Sequence, residues 1–208
     1  MCEHEHGHDC SGAHGHQDPE EMGILYSLYQ KINLDRVVCY NEECEGSGKL
    51  VLKPWEDRLD KSKFVESDCD EELLFSIPFN GNVKLKGVKV IGGEGPSHPR
   101  TMRLFKDRPN MCLDDVASVP EQQFELIQDG QGDAEYPVKV VKFSNIHHLC
   151  IHFPDNFGAE TTTVFYIGLR GEFTAVNRDQ IAIATYEARA VPQDHKGELP
   201  DKARFDVM

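Results

Sequence analysis

The chain has 208 residues, of which 39% are hydrophobic and 28% charged, enough for one domain with its own core. Its 22 basic and 36 acidic side chains leave a formal charge of −14, which repels phosphate backbones and anionic membranes and argues against nucleic-acid or membrane partners. No apolar run approaches the ~20 residues that span a bilayer, and the start lacks the basic and apolar segments of a secretory signal.

Residues 1–17 contain five histidines and two cysteines but no lysine or arginine, and supply nothing for a core. They read as a disordered tail. Cys2, His4, His6 and His8 could bind Zn²⁺, Ni²⁺ or Cu²⁺ adventitiously, and loss of Met1 would leave Cys2-Glu3-His4 to wrap a square-planar ion. No other cofactor is expected. Asp18-Pro19-Glu20-Glu21 reads as a helix start, with Leu25, Leu28, Tyr29 and Ile32 at helical spacing behind it.

From residue 37 the apolar period changes to two. Short strands are predicted at Val37–Tyr40, Leu73–Phe79, Val83–Ile91, Thr101–Phe105, Phe124–Ile127, Val138–Phe143, His147–Phe153, Thr163–Leu169 and Ile181–Tyr186. Val83 and Leu85 have the opposite parity to Val88 and Val90, so a bulge is expected at Gly87. Asn80-Gly81-Asn82, Gly92-Gly93-Glu94-Gly95-Pro96, Asp129-Gly130-Gln131-Gly132 and Asp155-Asn156-Phe157-Gly158 read as turns. Many short strands without intervening helices predict an all-β sandwich or barrel. Residues 18–192 form the domain on this reading, and 193–208 a polar tail.

Seven scattered cysteines form no C-x-x-C pair, so free thiols are expected rather than a disulfide framework. His148, Cys150 and His152 alternate onto one strand face. Adjacent members could share a metal ion, but a polar outer face is the expectation. Gly93-Glu94-Gly95 precedes Pro96 and no Lys-Ser/Thr follows, so it is not a phosphate loop. No motif of a hydrolase, metalloprotease or kinase occurs. Trp55, Asp155, Asn156 and Phe157 lie in loops outside the core period and are the candidate protein-binding residues. Trp55 could instead pack inside.

Several strings together are distinctive: Phe64-Val65-Glu66-Ser67-Asp68-Cys69-Asp70-Glu71-Glu72-Leu73-Leu74, Ile77-Pro78-Phe79, Val83-Lys84-Leu85-Lys86-Gly87, Arg103-Leu104-Phe105, Lys142-Phe143-Ser144-Asn145-Ile146, and Phe157-Gly158-Ala159-Glu160-Thr161-Thr162 running into Tyr166-Ile167-Gly168-Leu169-Arg170-Gly171. Over about residues 23–192 the chain resembles the PITH domain family, in its stand-alone form. The resemblance implies a galactose-binding-like jelly-roll β-sandwich and association with the 26S proteasome. In thioredoxin-like relatives this domain follows a redox domain, which is absent here, so the expectation is a non-enzymatic, monomeric binding module in the cytoplasm or nucleus. Carbohydrate binding, by fold analogy, and metal handling through the tail are the alternatives.

Overall fold

The computed structural model describes residues 19–175. The tail with Cys2, His4, His6 and His8, the expected strand Ile181–Tyr186 and the segment 193–208 lie outside the described residues. The strands are β1 (Val38–Tyr40), β2 (Val65–Glu66), β3 (Leu73–Gly92), β4 (Thr101–Lys106), β5 (Gln122–Glu125), β6 (Tyr136–Pro137), β7 (Ile146–Phe153) and β8 (Thr163–Thr174). Every pairing between them is antiparallel.

The 20-residue strand β3 organises the molecule. Its first part pairs β7 on one edge and β1 on the other. Its second part pairs β8 and β6. The two sets continue outward as β7-β4-β5 and β8-β2, so β3 belongs to both layers of a sandwich. Asn80-Gly81-Asn82 is therefore not the expected turn. The chain runs straight through it, and only the pairing with β7 shifts between Pro78 and Val83. Turn-forming residues here serve a crossing between layers instead of a reversal.

The alternation in β3 places Leu73, Phe75, Ile77 and Phe79 in the main core with Leu149, Ile151 and Phe153 of β7. Phe75 meets Phe153 edge-on at 5.9 Å. The expected bulge is present: the register with β8 shifts between Leu85 and Gly87, so that Val83, Leu85, Val88 and Val90 all reach the same core. A Cβ at Gly87 would come within 2.1 Å of Glu135 Oε1, so glycine there also makes room for a carboxylate.

Three local readings change. The helix stops at Leu25 and becomes a 3₁₀ turn, Ser27–Lys31, which exposes Leu25 and buries Tyr26. Val138–Phe143 is a looped plug rather than a strand: Val138 and Phe143 are buried, and the turn bonds Lys142 N–H to Lys139 O and Phe143 N–H to Val140 O close it. In β8 a second register shift falls between the partners of Ile91 and Gly92. Val164, Ile167 and Leu169 face the main core, and Phe165 turns to the opposite side with Tyr166, against Trp55 and Tyr26.

The alternate face of β3 and β7 is buried as well. Leu74, Phe105, Met111 and Cys150 form a second cluster, with Tyr40, Leu113 and Val116 packed against it. His148, Cys150 and His152 are thus not on a polar outer face. Each has a polar partner inside: His148 Nε2 lies 3.0 Å from Ser76 Oγ, Cys150 Sγ donates to Arg108 O at 3.3 Å, and His152 Nε2 lies 2.6 Å from Glu72 Oε1, while His152 Nδ1 is buried without a hydrogen bond.

Candidate functional site

Three loops converge at one end of the sandwich, and β4, β5, β7 and β8 hold their ends. Arg100 N–H donates to Asp155 O, Phe157 N–H to Pro96 O and Leu126 N–H to Arg100 O. Asn156 organises the loop between β7 and β8. Its amide donates to Ala159 O and Thr161 O, and its oxygen accepts from Gly158 N–H and Ala159 N–H, so the loop carries its own backbone satisfaction. This explains why Asn156 is buried although it lies in a loop.

That loop presents two neighbours. Asp155 Oδ2 accepts from Arg100 Nη2 at 2.5 Å. Burial pushes the Asp155 carboxyl up, but the Arg100 guanidinium and Thr101 outweigh it and hold it below its usual range. Phe157 is 38% exposed and meets His98 edge-on at 6.1 Å. Beside it opens a cavity of about 360 Å³ lined by Arg100, Thr101, Glu125, Leu126 and Phe157. An exposed aromatic face, a guanidinium and the Glu125 carboxylate around one hollow suit a polar partner that also offers an apolar group.

The structure therefore brings Asp155, Asn156 and Phe157 together and places Trp55 elsewhere. Trp55 is 6% exposed, stacked on Tyr26 at 5.2 Å and edge-on to Tyr166 at 6.1 Å. Arg58 covers its ring at 4.0 Å, and the buried Lys89 ammonium lies 5.4 Å from it. Lys89 in turn donates to Gly132 O and Asp133 O, which satisfies a charge held away from solvent. Arg100, Thr101, Glu125 and Leu126 were not singled out in the sequence. They sit at the start of β4 and the end of β5, far from residue 155 in sequence, and only the strand pairing brings them there.

His148 Nδ1 approaches Cys150 Sγ at 3.6 Å, but His152 pairs with Glu72 instead of joining them. Among the described residues no group of three or more His, Cys, Asp or Glu is arranged to hold a metal ion. The described cysteines Cys39, Cys44, Cys69, Cys112 and Cys150 are free thiols. Burial, with Glu42 nearby, pushes the Cys39 thiol well up. The Cys69 thiol is raised by its hydrogen bond to Asp68. Burial pushes the Cys150 thiol up to about 12. None of these three environments favours a thiolate.

The antiparallel β-sandwich, with loops converging on a shallow hollow at one end, has the jelly-roll, galactose-binding-like fold. The PITH domain pattern matches residues 18–190. The chain is 53% identical over 197 residues to PITH domain-containing protein 1 of Mus musculus, covering 92% of this chain and 93% of that one. It is 53% identical over 202 residues to PITH domain-containing protein CG6153 of Drosophila melanogaster, covering 95% and 96%. The chain belongs to the PITH domain family. Among solved structures, the CBM32-1 and CBM32-2 domains of Clostridium perfringens ZmpB, in complex with GalNAc, align with a TM-score of 0.50 at 8% identity, over 75% of this chain and 39% of that one. That likeness concerns the fold alone.

Proposed function

We propose that this protein is a non-enzymatic, intracellular binding module that associates with the 26S proteasome. Family membership across residues 18–190 carries the reading. The loop end supplies the contact surface, with Asp155 and Phe157 touching the partner and Asn156 holding their loop in shape. Trp55 contributes from within, by fixing the stack beneath Arg58. With a formal charge of −14, the module meets its partner through a surface whose rim is charged, so association slows as salt rises.

The non-enzymatic half rests on chemistry. A disulfide reductase needs an activated thiolate with a resolving thiol beside it. The sequence has no C-x-x-C, and the environments of Cys39, Cys69 and Cys150 disfavour the thiolate.

The test is a pull-down of purified 26S proteasomes at low and moderate salt, beside an insulin-reduction assay on the same preparation. Stoichiometric, salt-sensitive capture without reductase turnover is expected. Absence of capture at both salt concentrations refutes the partner. Turnover that disappears on Cys39→Ser or Cys44→Ser refutes the non-enzymatic reading. A glycan array addresses the carbohydrate alternative, for which Phe157 is the exposed aromatic of the loop end. Metal analysis of protein purified without a metal column addresses Cys2, His4, His6 and His8.

A further inference from the structure

The loop between β4 and β5 carries a feature with no part in the reading above. Ala117, Ser118 and Val119 are all exposed there. Ser118 Oγ already accepts a hydrogen bond from Arg108 Nη1 at 2.6 Å. The guanidinium lies over the Phe105 ring at 4.8 Å, which fixes its plane. Its other nitrogen, Nη2, donates to Val119 O at 3.3 Å and to Glu121 Oε1 at 3.2 Å. A hollow of about 380 Å³ opens alongside, lined by Arg108, Pro109, Asn110, Met111, Asp115 and Ser118. In sequence the serine stands in Asp114-Asp115-Val116-Ala117-Ser118-Val119-Pro120-Glu121, with acids three and four positions before it and one three positions after.

We infer that Ser118 is a phosphorylation site for an acid-directed serine kinase, and that Arg108 is the preplaced partner of the resulting phosphate. Kinases choose substrates by charge pattern, and this exposed segment offers carboxylates on both sides of its hydroxyl. In the transfer, Ser118 Oγ forms a bond to the γ-phosphorus of Mg·ATP as the bond to the bridging oxygen breaks. ADP leaves, and the hydroxyl proton passes to the kinase base. The phosphate brings a charge of about −1.5 to −2 and three acceptor oxygens to a guanidinium already in hydrogen-bond contact with the serine.

A consequence follows for the edge of the sheet. Glu121 Oε2 accepts from Lys106 N–H at 3.2 Å, and Glu121 N–H donates to Leu104 O at 3.0 Å, which together start the β4–β5 pairing. The phosphate takes Arg108 from Glu121 and repels its carboxylate, as it does that of Asp115. The start of β5 therefore loosens from β4 on phosphorylation.

The inference is independent of the proteasome reading. The test treats the full chain with an acid-directed serine kinase and Mg·ATP, maps the phosphate by mass spectrometry, and measures amide hydrogen exchange. Phosphate on Ser118 is expected, abolished by Ser118→Ala and slowed at least ~5-fold by Glu121→Gln, which keeps the side chain's size and one acceptor oxygen but removes the charge. Exchange at the Lys106 amide should rise ~10-fold in the phosphoprotein. In Arg108→Gln, phosphorylation should add a clearly smaller increase, since the guanidinium to be transferred is gone and only the repulsion of Glu121 remains. Modification elsewhere with Ser118 untouched overturns the site. An unchanged rate in Glu121→Gln overturns the acid-directed recognition. Unchanged Lys106 exchange, or an equal rise in phosphorylated Arg108→Gln, overturns the arginine transfer.

Discussion

Replacing Trp55 by alanine separates packing from recognition at this position. The indole is 6% exposed, with Tyr26 stacked on one face at 5.2 Å, Tyr166 at its edge and the Arg58 guanidinium 4.0 Å from its ring. Truncating a buried aromatic of this size costs roughly 3–5 kcal/mol through lost burial and the cavity left behind. Arg58 and Lys89 also lose the ring they flank, which places the expectation near the middle or upper part of that range. A loss of about 4 kcal/mol corresponds to ~8–16 °C in the melting temperature of a domain this size. Trp55→Phe keeps an aromatic stack on Tyr26 and should lose only about 1–2 kcal/mol. Far-UV circular dichroism is the right assay, because Trp55 is the only tryptophan and both variants abolish the tryptophan emission. The reasoning fails if Trp55→Ala melts within about 1 kcal/mol of the parent. It fails more informatively if that variant, still folded at the assay temperature, no longer captures proteasomes, since the indole would then be a contact instead of a stack.

Phe157→Ala removes an aromatic that is 38% exposed and touches His98 from the loop end. It should weaken proteasome capture ~5- to 30-fold, as loss of an aromatic anchor does, with little change in melting; titrated pull-downs with parallel melts check both halves. In β8, Ile167→Ala should cost about 2–5 kcal/mol and Phe165→Ala less, because only Ile167 faces the main core. Urea titrations that rank them the other way would refute the register shift at Phe165. Gly171→Ala drives a Cβ to within 2.4 Å of Lys84 O on the neighbouring strand and should cost about 1–3 kcal/mol, read from the same titrations. Burial holds the buried histidines His98, His148 and His152 below their ordinary value, with Glu72 pulling His152 partly back. The unfolded chain therefore binds more protons, so stability should be level above about pH 6.5 and fall as pH drops through the folded-state values. Flat urea midpoints from pH 7.5 to 5.0 would contradict this.

Much of the fold is legible in the sequence wherever a strand shows only one face to the core. Leu73, Phe75, Ile77 and Phe79 alternate cleanly, and the parity change across Gly87 marks its bulge, because a glycine and an apolar pattern agree there. The shift at Phe165 has no glycine to betray it. Asn80-Gly81-Asn82 has turn chemistry, yet the same permissive residues suit a strand passing from one layer to the other. The histidines and cysteine of β7 misled because residue type alone cannot distinguish a wet face from a buried one with polar partners. Ser76 and Glu72, which receive His148 and His152, lie 72 and 80 positions away. At the loop end, Asp155, Asn156 and Phe157 are visible as a turn outside the apolar period. Arg100 and Glu125 become part of the same hollow only through strand pairing, which leaves no local mark.

The long strand β3 has a consequence for how the protein is made. A ribosome releases residues 73–92 well before β7, and the last of β8 emerges about 80 residues after β3 ends. At ~5–20 residues per second, that interval lasts on the order of 4–16 s. Until β7 and β8 arrive, an apolar ribbon covered only by the short β1 and β6 along parts of its edges waits for its main neighbours, which is the condition that invites association between nascent chains. This protein should therefore depend on chaperone capture during synthesis more than its modest size suggests. Ribosomes stalled before codon 146 should hold an intermediate that sheds its chaperone only once translation has delivered β7 and β8.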